Sequence, residues 1–185
     1  MRILLSILIV FTLFNCVPPT QTGENAQVFV SGNFDKNIHK KIAVFPFIQE
    51  GREGLDNSIS DKFSMHLMEM GYTVIDRSQI NFVLNEAKLD MSGLVKSGNY
   101  TEVGSLLKVD VIVNGTISSY WREGQSVERK GKTFTVPAGW VLTGETVKFI
   151  SVETGEVLIT ANVNARDSFG SMIKEIALKI QSSTK

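Results

Sequence analysis

The spacing of apolar positions changes several times along the chain, and each spacing predicts an element. Ile42-Ala43-Val44-Phe45-Pro46-Phe47 is a continuous apolar run, the pattern of a strand covered on both faces. Pro46 belongs at its end, because proline cannot donate to a ladder. After a polar loop over 49–54, Ile59, Phe63, Leu67 and Met70 fall on one face of a helix from about Asp56 to Met70, stopped by Gly71. Thr73-Val74-Ile75 predicts a short strand. Asp76 then caps a helix whose stripe is Ile80, Val83, Leu84 and Ala87, with Gln79 in capping-box spacing. A loop over 91–98 leads to a third helix near 101–107. Val109–Val113 opens a buried strand that runs through Gly115 to Tyr120 or Trp121. Residues 122–139 read as a long polar hairpin loop. Strands follow at about 141–152 and 156–163, joined by the turn Glu153-Thr154-Gly155-Glu156. The last helix carries Phe169, Met172, Ile173, Ile176, Ala177 and Ile180. Alternating strands and helices, then a hairpin and a helix, predict an α/β (α+β) domain: a mixed sheet of βαβαβ type with helices packed on it and a C-terminal hairpin and helix.

The front of the chain has a different character. Residues 1–15 hold one early charge, Arg2, then an apolar run from Ile3 to Val10 extended by Phe11, Leu13 and Phe14. The run is about 12 residues, whereas a bilayer span needs roughly 20, so it reads as a cleaved signal peptide. It ends at Leu13-Phe14-Asn15-Cys16, the place where a lipobox puts its cysteine. Cys16 is the single cysteine of the chain, so no internal disulfide is available and its thiol is read as a lipidation site. Residues 16–39 read as a lipidated N-terminus and flexible tether, polar and proline-bearing at Val17-Pro18-Pro19. Val28-Phe29-Val30 within it is a short apolar patch that either packs on the domain or forms an edge strand. The folded domain is expected over 40–185. Val17, rather than an aspartate of the inner-membrane retention type, follows the cysteine, which gives the outer membrane, facing the periplasm, as the expected location.

Composition narrows the chemistry. The formal net charge is zero and no long run of one sign occurs, so nothing predicts nucleic acid as a partner. The chain has two histidines, His39 at the tether junction and His66 on the first helix, and they are far apart in sequence. No metal-ligand spacing, nucleophile elbow, Walker loop or dinucleotide fingerprint is present. Asp76, Glu86 and Asp110 are carboxylates near element ends. They read as a helix cap, one half of a local Arg77–Glu86 ion pair, and a strand opener. No enzyme, small-molecule substrate, cofactor or metal is therefore expected; the only attached group is the acyl lipid on Cys16. Tyr120, Trp121 and Trp140 flank the long loop at both ends, either as cross-strand packing or as a partner-contact surface.

Four stretches, taken in order, resemble the CsgG family of curli assembly and transport lipoproteins. Lys41–Phe47 looks like its first strand. Val74-Ile75-Asp76-Arg77, with Ile80, Val83-Leu84-Asn85-Glu86 and Lys88-Leu89, looks like its acidic-Arg pair before a helix ending in Asn-Glu. Leu106–Ile117, containing Asp110 and Gly115, and Val147–Leu158, containing Thr154-Gly155-Glu156, resemble its next two steps. The core is also similar to the N-terminal domain of TolB-like proteins, to lipoprotein activators of penicillin-binding proteins and to flagellar-associated outer-membrane lipoproteins. The resemblance implies a non-enzymatic envelope lipoprotein working by protein–protein contacts in secretion, assembly or as an accessory scaffold. Its expected partners are the membrane, through the lipid, other envelope proteins, and further copies of the chain in a homo-oligomer. The alternatives are a lipoprotein activator of a penicillin-binding protein and a flagellar-associated lipoprotein. The family's secretion channel builds its barrel from two hairpins per subunit. Here one candidate exists, around 120–147, and its charged centre lacks the alternation of a lipid-facing strand, so a self-made pore is not expected.

Overall fold

A computed structural model describes residues 26–50, 55–89, 99–164 and 169–184. Cys16, the signal segment and the loop over 91–98 lie outside the described residues. The apolar run at Ile42 divides at Pro46 into β2 (Lys41–Val44) and β3 (Phe47–Glu50), both of which pair in parallel with β6 (Val111–Arg122). Along β2 the side chains alternate between two cores. Ile42 and Val44 face one, Ala43 and Phe45 the other, and all four are buried, as a two-sided strand requires. α1 (Asn57–Glu69) leads to β5 (Thr73–Val74), which pairs in parallel with β2. α2 (Arg77–Glu86) and α3 (Tyr100–Leu107) lead across to β6.

From β6 onward the pairing is antiparallel: β9 (Gly139–Ser151), then β10 (Val157–Asn164), then β1 (Ala26–Val30) at the edge. A short β4 (Leu55–Asp56) pairs with β3. The path of the mixed sheet is β1-β10-β9-β6-β2-β5. The mixed α/β class expected from the pattern is thus what the chain adopts. Of the two alternatives for Val28-Phe29-Val30, the edge strand is realised, so the stretch read as tether already joins the sheet at Ala26.

Helices cover both faces. α1 and α4 (Phe169–Ser183) bury Ile59, Phe63 and Leu67 and Ile173, Ile176, Ala177 and Ile180 against one face. Ile80 and Leu84 of α2 and Val103 and Leu107 of α3 bury against the other, beside Ala43, Phe45 and Ile112. Of the predicted α2 stripe, Ala87 is exposed; it is the C-cap residue, beyond the last helical turn.

Candidate functional site

The residues of the sequence motifs prove to be fixtures of the fold, placed at several points of it. Asp76 caps α2: its carboxylate accepts from the Ser78 backbone N–H at 2.8 Å and from the Ser78 hydroxyl. The Ser78 hydroxyl first, and then its backbone N–H, hold the Asp76 carboxyl below the usual carboxylate range. Arg77 does not pair with Glu86. Nine residues at 100° each turn Glu86 to the opposite side of the helix, where only positions three or four apart are neighbours. Arg77 instead reaches back to α1. It donates to Asp61 Oδ1 at 2.6 Å from Nη2 and 3.1 Å from Nε, to Ser60 Oγ at 2.6 Å, and to the Asn57 side chain. Asn85 and Glu86 sit exposed at the end of α2, where the Asn85 carbonyl accepts from the Lys88 N–H at 3.1 Å and the Ala87 N–H donates to Val83 O at 3.0 Å.

Asp110 is a clamp rather than a strand opener, since β6 begins one residue later. Its Oδ2 accepts the backbone N–H groups of Lys40 at 3.1 Å and Lys41 at 2.7 Å, and its carbonyl accepts from Val152 N at 2.9 Å. The start of β2, the start of β6 and the end of β9 are held together there. The turn Thr154-Gly155-Glu156 lies beside them: Gly155 takes φ 74°, and its N–H donates to Ser151 O at 2.9 Å. Gly115 on β6 is set by packing. A Cβ there would lie 2.5 Å from the Phe47 ring.

The opposite end of the sheet has another character. β6 and β9 run on past the helices as a two-stranded ribbon pairing Ser119–Arg122 with Gly139–Leu142. Trp121 and Trp140 are direct cross-strand partners, their rings edge to face with centroids 5.7 Å apart. Tyr120 points to the other face beside Val141. Cross-strand packing is realised for the two tryptophans, while Trp121 and Tyr120 stay half exposed and Trp140 is 37 % exposed. The segment read as a polar loop is itself folded. β7 (Gln125–Arg129) pairs with β8 (Lys132–Val136) around Lys130-Gly131, both at positive φ, the mark of a tight primed hairpin turn. Val127 faces Phe134 across it, with Val136 on the same face and Ser126, Glu128, Thr133 and Thr135 on the other. This alternation is what the sequence reading missed, because the charges around it hid a two-residue turn between two five-residue runs.

Among the described residues, groups capable of chemistry do not converge. His39 stacks on Phe34 and receives the Asp35 N–H at 3.0 Å, while His66 meets Glu69 at 2.8 Å on α1. A cleft of about 390 Å³ beside β5 is lined by Val44, Met68, Val74, Ile75 and Arg77, and its acidic groups, Asp61 and Asp76, are engaged by Arg77 and Ser78. Among the described residues no group of three His, Cys, Asp or Glu side chains can hold a metal ion, and no helix is long and apolar enough to cross a membrane.

Residues 46–177 match the family described as curli production assembly/transport component CsgG. No curated protein matches the chain. Among solved structures, the PelC dodecamer from Paraburkholderia phytofirmans is 13 % identical, covering 85 % of this chain and 96 % of that one with a TM-score of 0.47. The LpoB C-terminal domain from Salmonella enterica is 10 % identical, covering 70 % and 84 % with a TM-score of 0.49. Lipoprotein GNA1162 from Neisseria meningitidis is 13 % identical, covering 77 % and 99 % with a TM-score of 0.45.

Proposed function

This chain belongs to the CsgG family, and on that premise we propose that it is a non-enzymatic lipoprotein of the bacterial envelope that serves secretion or assembly as a scaffold for other proteins. The observation that carries this reading is the ribbon. A sheet packed on both faces is rigid, and it extends two strands beyond its helices with Tyr120 and Trp121 exposed by about half and Trp140 by 37 %. Exposed aromatics on a rigid scaffold are surfaces for contact rather than for turnover. The anchor in this reading is lipid on Cys16, following a cleaved 1–15 segment, with the domain held at the outer membrane on its periplasmic side.

Because β1 takes up Ala26–Val30, the chain free to act as tether shrinks to residues 16–25. At about 3.5 Å per residue, that reaches roughly 35 Å at most. So short a reach disfavours the alternative of an activator that must cross the periplasm to a penicillin-binding protein, and favours partners close to the anchoring membrane, further copies of the chain included.

The test is extraction of the full chain from its native membranes in mild detergent, with a photoreactive residue replacing Tyr120. Recovery in a discrete oligomer, or crosslinked to a defined envelope protein, supports the scaffold reading. A strict monomer with no crosslink from position 120 overturns it.

A further inference from the structure

We infer that the β7–β8 hairpin is a membrane-contact element, dipping Val127 and Phe134 into the surface of an anionic bilayer while Arg129, Lys130 and Lys132 meet its phosphates; the inference rests on the lipid-anchored reading above. Strand register supplies the first argument. Ala26 pairs with Val163, Val163 with Glu145, and Glu145 with Ile117. Val30, in turn, lies level with Ile159, Phe149 and Val113. The chain running back from Ala26 towards Cys16 therefore leaves the sheet at the end where β6 and β9 extend into the ribbon. Three strand spacings of about 4.8 Å put that exit roughly 14 Å to the side of β6. The five residues from Ile117 to Arg122 carry the ribbon root about 17 Å further out. Ten residues of unstructured chain would span about 16–19 Å. A lipid on Cys16 thus holds the membrane at or beyond the level of Arg122, where the hairpin begins, since full extension of the ten residues reaches roughly 35 Å.

Charge and patterning supply the second argument. The chain is neutral as a whole. Its segment 122–139 holds four cations (Arg122, Arg129, Lys130, Lys132) against two anions (Glu123, Glu128), an excess of +2 that leaves −2 on the remainder. Three of the cations surround the turn, and Arg129 pairs directly with Lys132. Like charges directly opposite each other destabilise a hairpin, so their placement calls for an anionic counterpart. On the strands just behind them, Val127 and Phe134 are exposed on the face that also carries Arg129 and Lys132, while Glu128 and Thr133 lie on the other. Apolar side chains flanked by basic ones suit the headgroup layer of an anionic membrane, where cations meet phosphate and aromatic rings rest at the boundary.

The experiment uses the full lipidated chain with its own two tryptophans replaced, Trp121→Phe and Trp140→Phe, and one new reporter, Phe134→Trp or Thr133→Trp. Each is reconstituted into vesicles of phosphatidylethanolamine and phosphatidylglycerol that contain acyl-brominated lipid. The reporter at 134 is expected to shift to the blue and be quenched by bromine, and the reporter at 133, on the other face, is not. Both effects are lost in phosphatidylcholine vesicles, in high salt, and in the charge-reversed Arg129→Glu/Lys130→Glu/Lys132→Glu chain. A reporter at 134 that stays in water although the protein floats with the vesicles overturns the inference and leaves the anchor standing. So does protection of 134 in native membranes but not in lipid alone, which would mean a protein occupant. A chain carrying no lipid refutes the anchor; if it still binds phosphatidylglycerol vesicles through position 134, the contact holds without it.

Discussion

Gly115 shows how little room the core leaves at one position. A methyl there would sit 2.5 Å from the ring of Phe47, which is fully buried. Gly115→Ala is therefore expected to cost about 1–3 kcal/mol as overpacking strain, seen as an earlier midpoint in urea unfolding. An unchanged midpoint would mean that Phe47 can yield. Asp76 lies at the other extreme, exposed and held chiefly by its hydrogen bonds to Ser78, with the charge of Arg77 beside it. Its pKa is lowered in the folded state, so the stability it adds is complete above the ordinary value of 3.8 and is lost as pH falls through the lower folded value. Asp76→Asn keeps an oxygen for the cap but does not titrate. The thermal midpoints of the two proteins should differ at neutral pH and approach one another on acidification. A gap that stays constant through the carboxylate range would remove the charge from the account.

At the scale of elements, the Trp121–Trp140 pair is the joint of the ribbon. Edge-to-face pairs are worth about 0.5–1.5 kcal/mol beyond their buried area, so a double-mutant cycle of Trp121→Ala and Trp140→Ala should show a coupling in that range. A coupling near zero would mean that the two rings are kept for a partner and not for each other. The elements that the sequence made legible are those whose burial has a simple period. β2 reads as two-sided because both cores press on it, and Ile59, Phe63 and Leu67 on α1 and Ile173, Ile176 and Ile180 on α4 read as stripes because one face of each is covered. The β7–β8 hairpin is covered on neither face, so burial imposes no period there, and its signal reduces to Lys130-Gly131 and a weak alternation among charges. The Arg77 contact was illegible for a different reason. Its partners Asn57, Ser60 and Asp61 belong to another helix, and no local spacing points across a tertiary interface.

For the molecule as a whole, β1 closes the sheet and, in the lipid-anchored reading proposed above, sets how far the membrane stands off. Its inward side chains, Val28 and Val30, pack on the core beneath α4, and the Ala26 N–H donates to Glu175 of that helix at 2.9 Å. Without β1, the next strand, β10, would present an open edge lined by Ile159, Ala161 and Val163, the kind of unpaired apolar edge that seeds aggregation. In the lipid-anchored reading, detachment would also lengthen the proposed tether from residues 16–25 to residues that reach Lys40, moving the ribbon out of register with the lipid. Val28→Asp tests both roles, because a carboxylate at this inward position has to leave the core to be hydrated. Backbone amides of β10 are expected to exchange with solvent faster, and light scattering should detect association that the parent chain lacks. Gln27→Glu places the same charge on the outward side of β1 and should change neither reading. Equal exchange on β10 in the Val28→Asp chain would mean that α4 alone holds that side of the sheet, and the short tether would lose its structural cause.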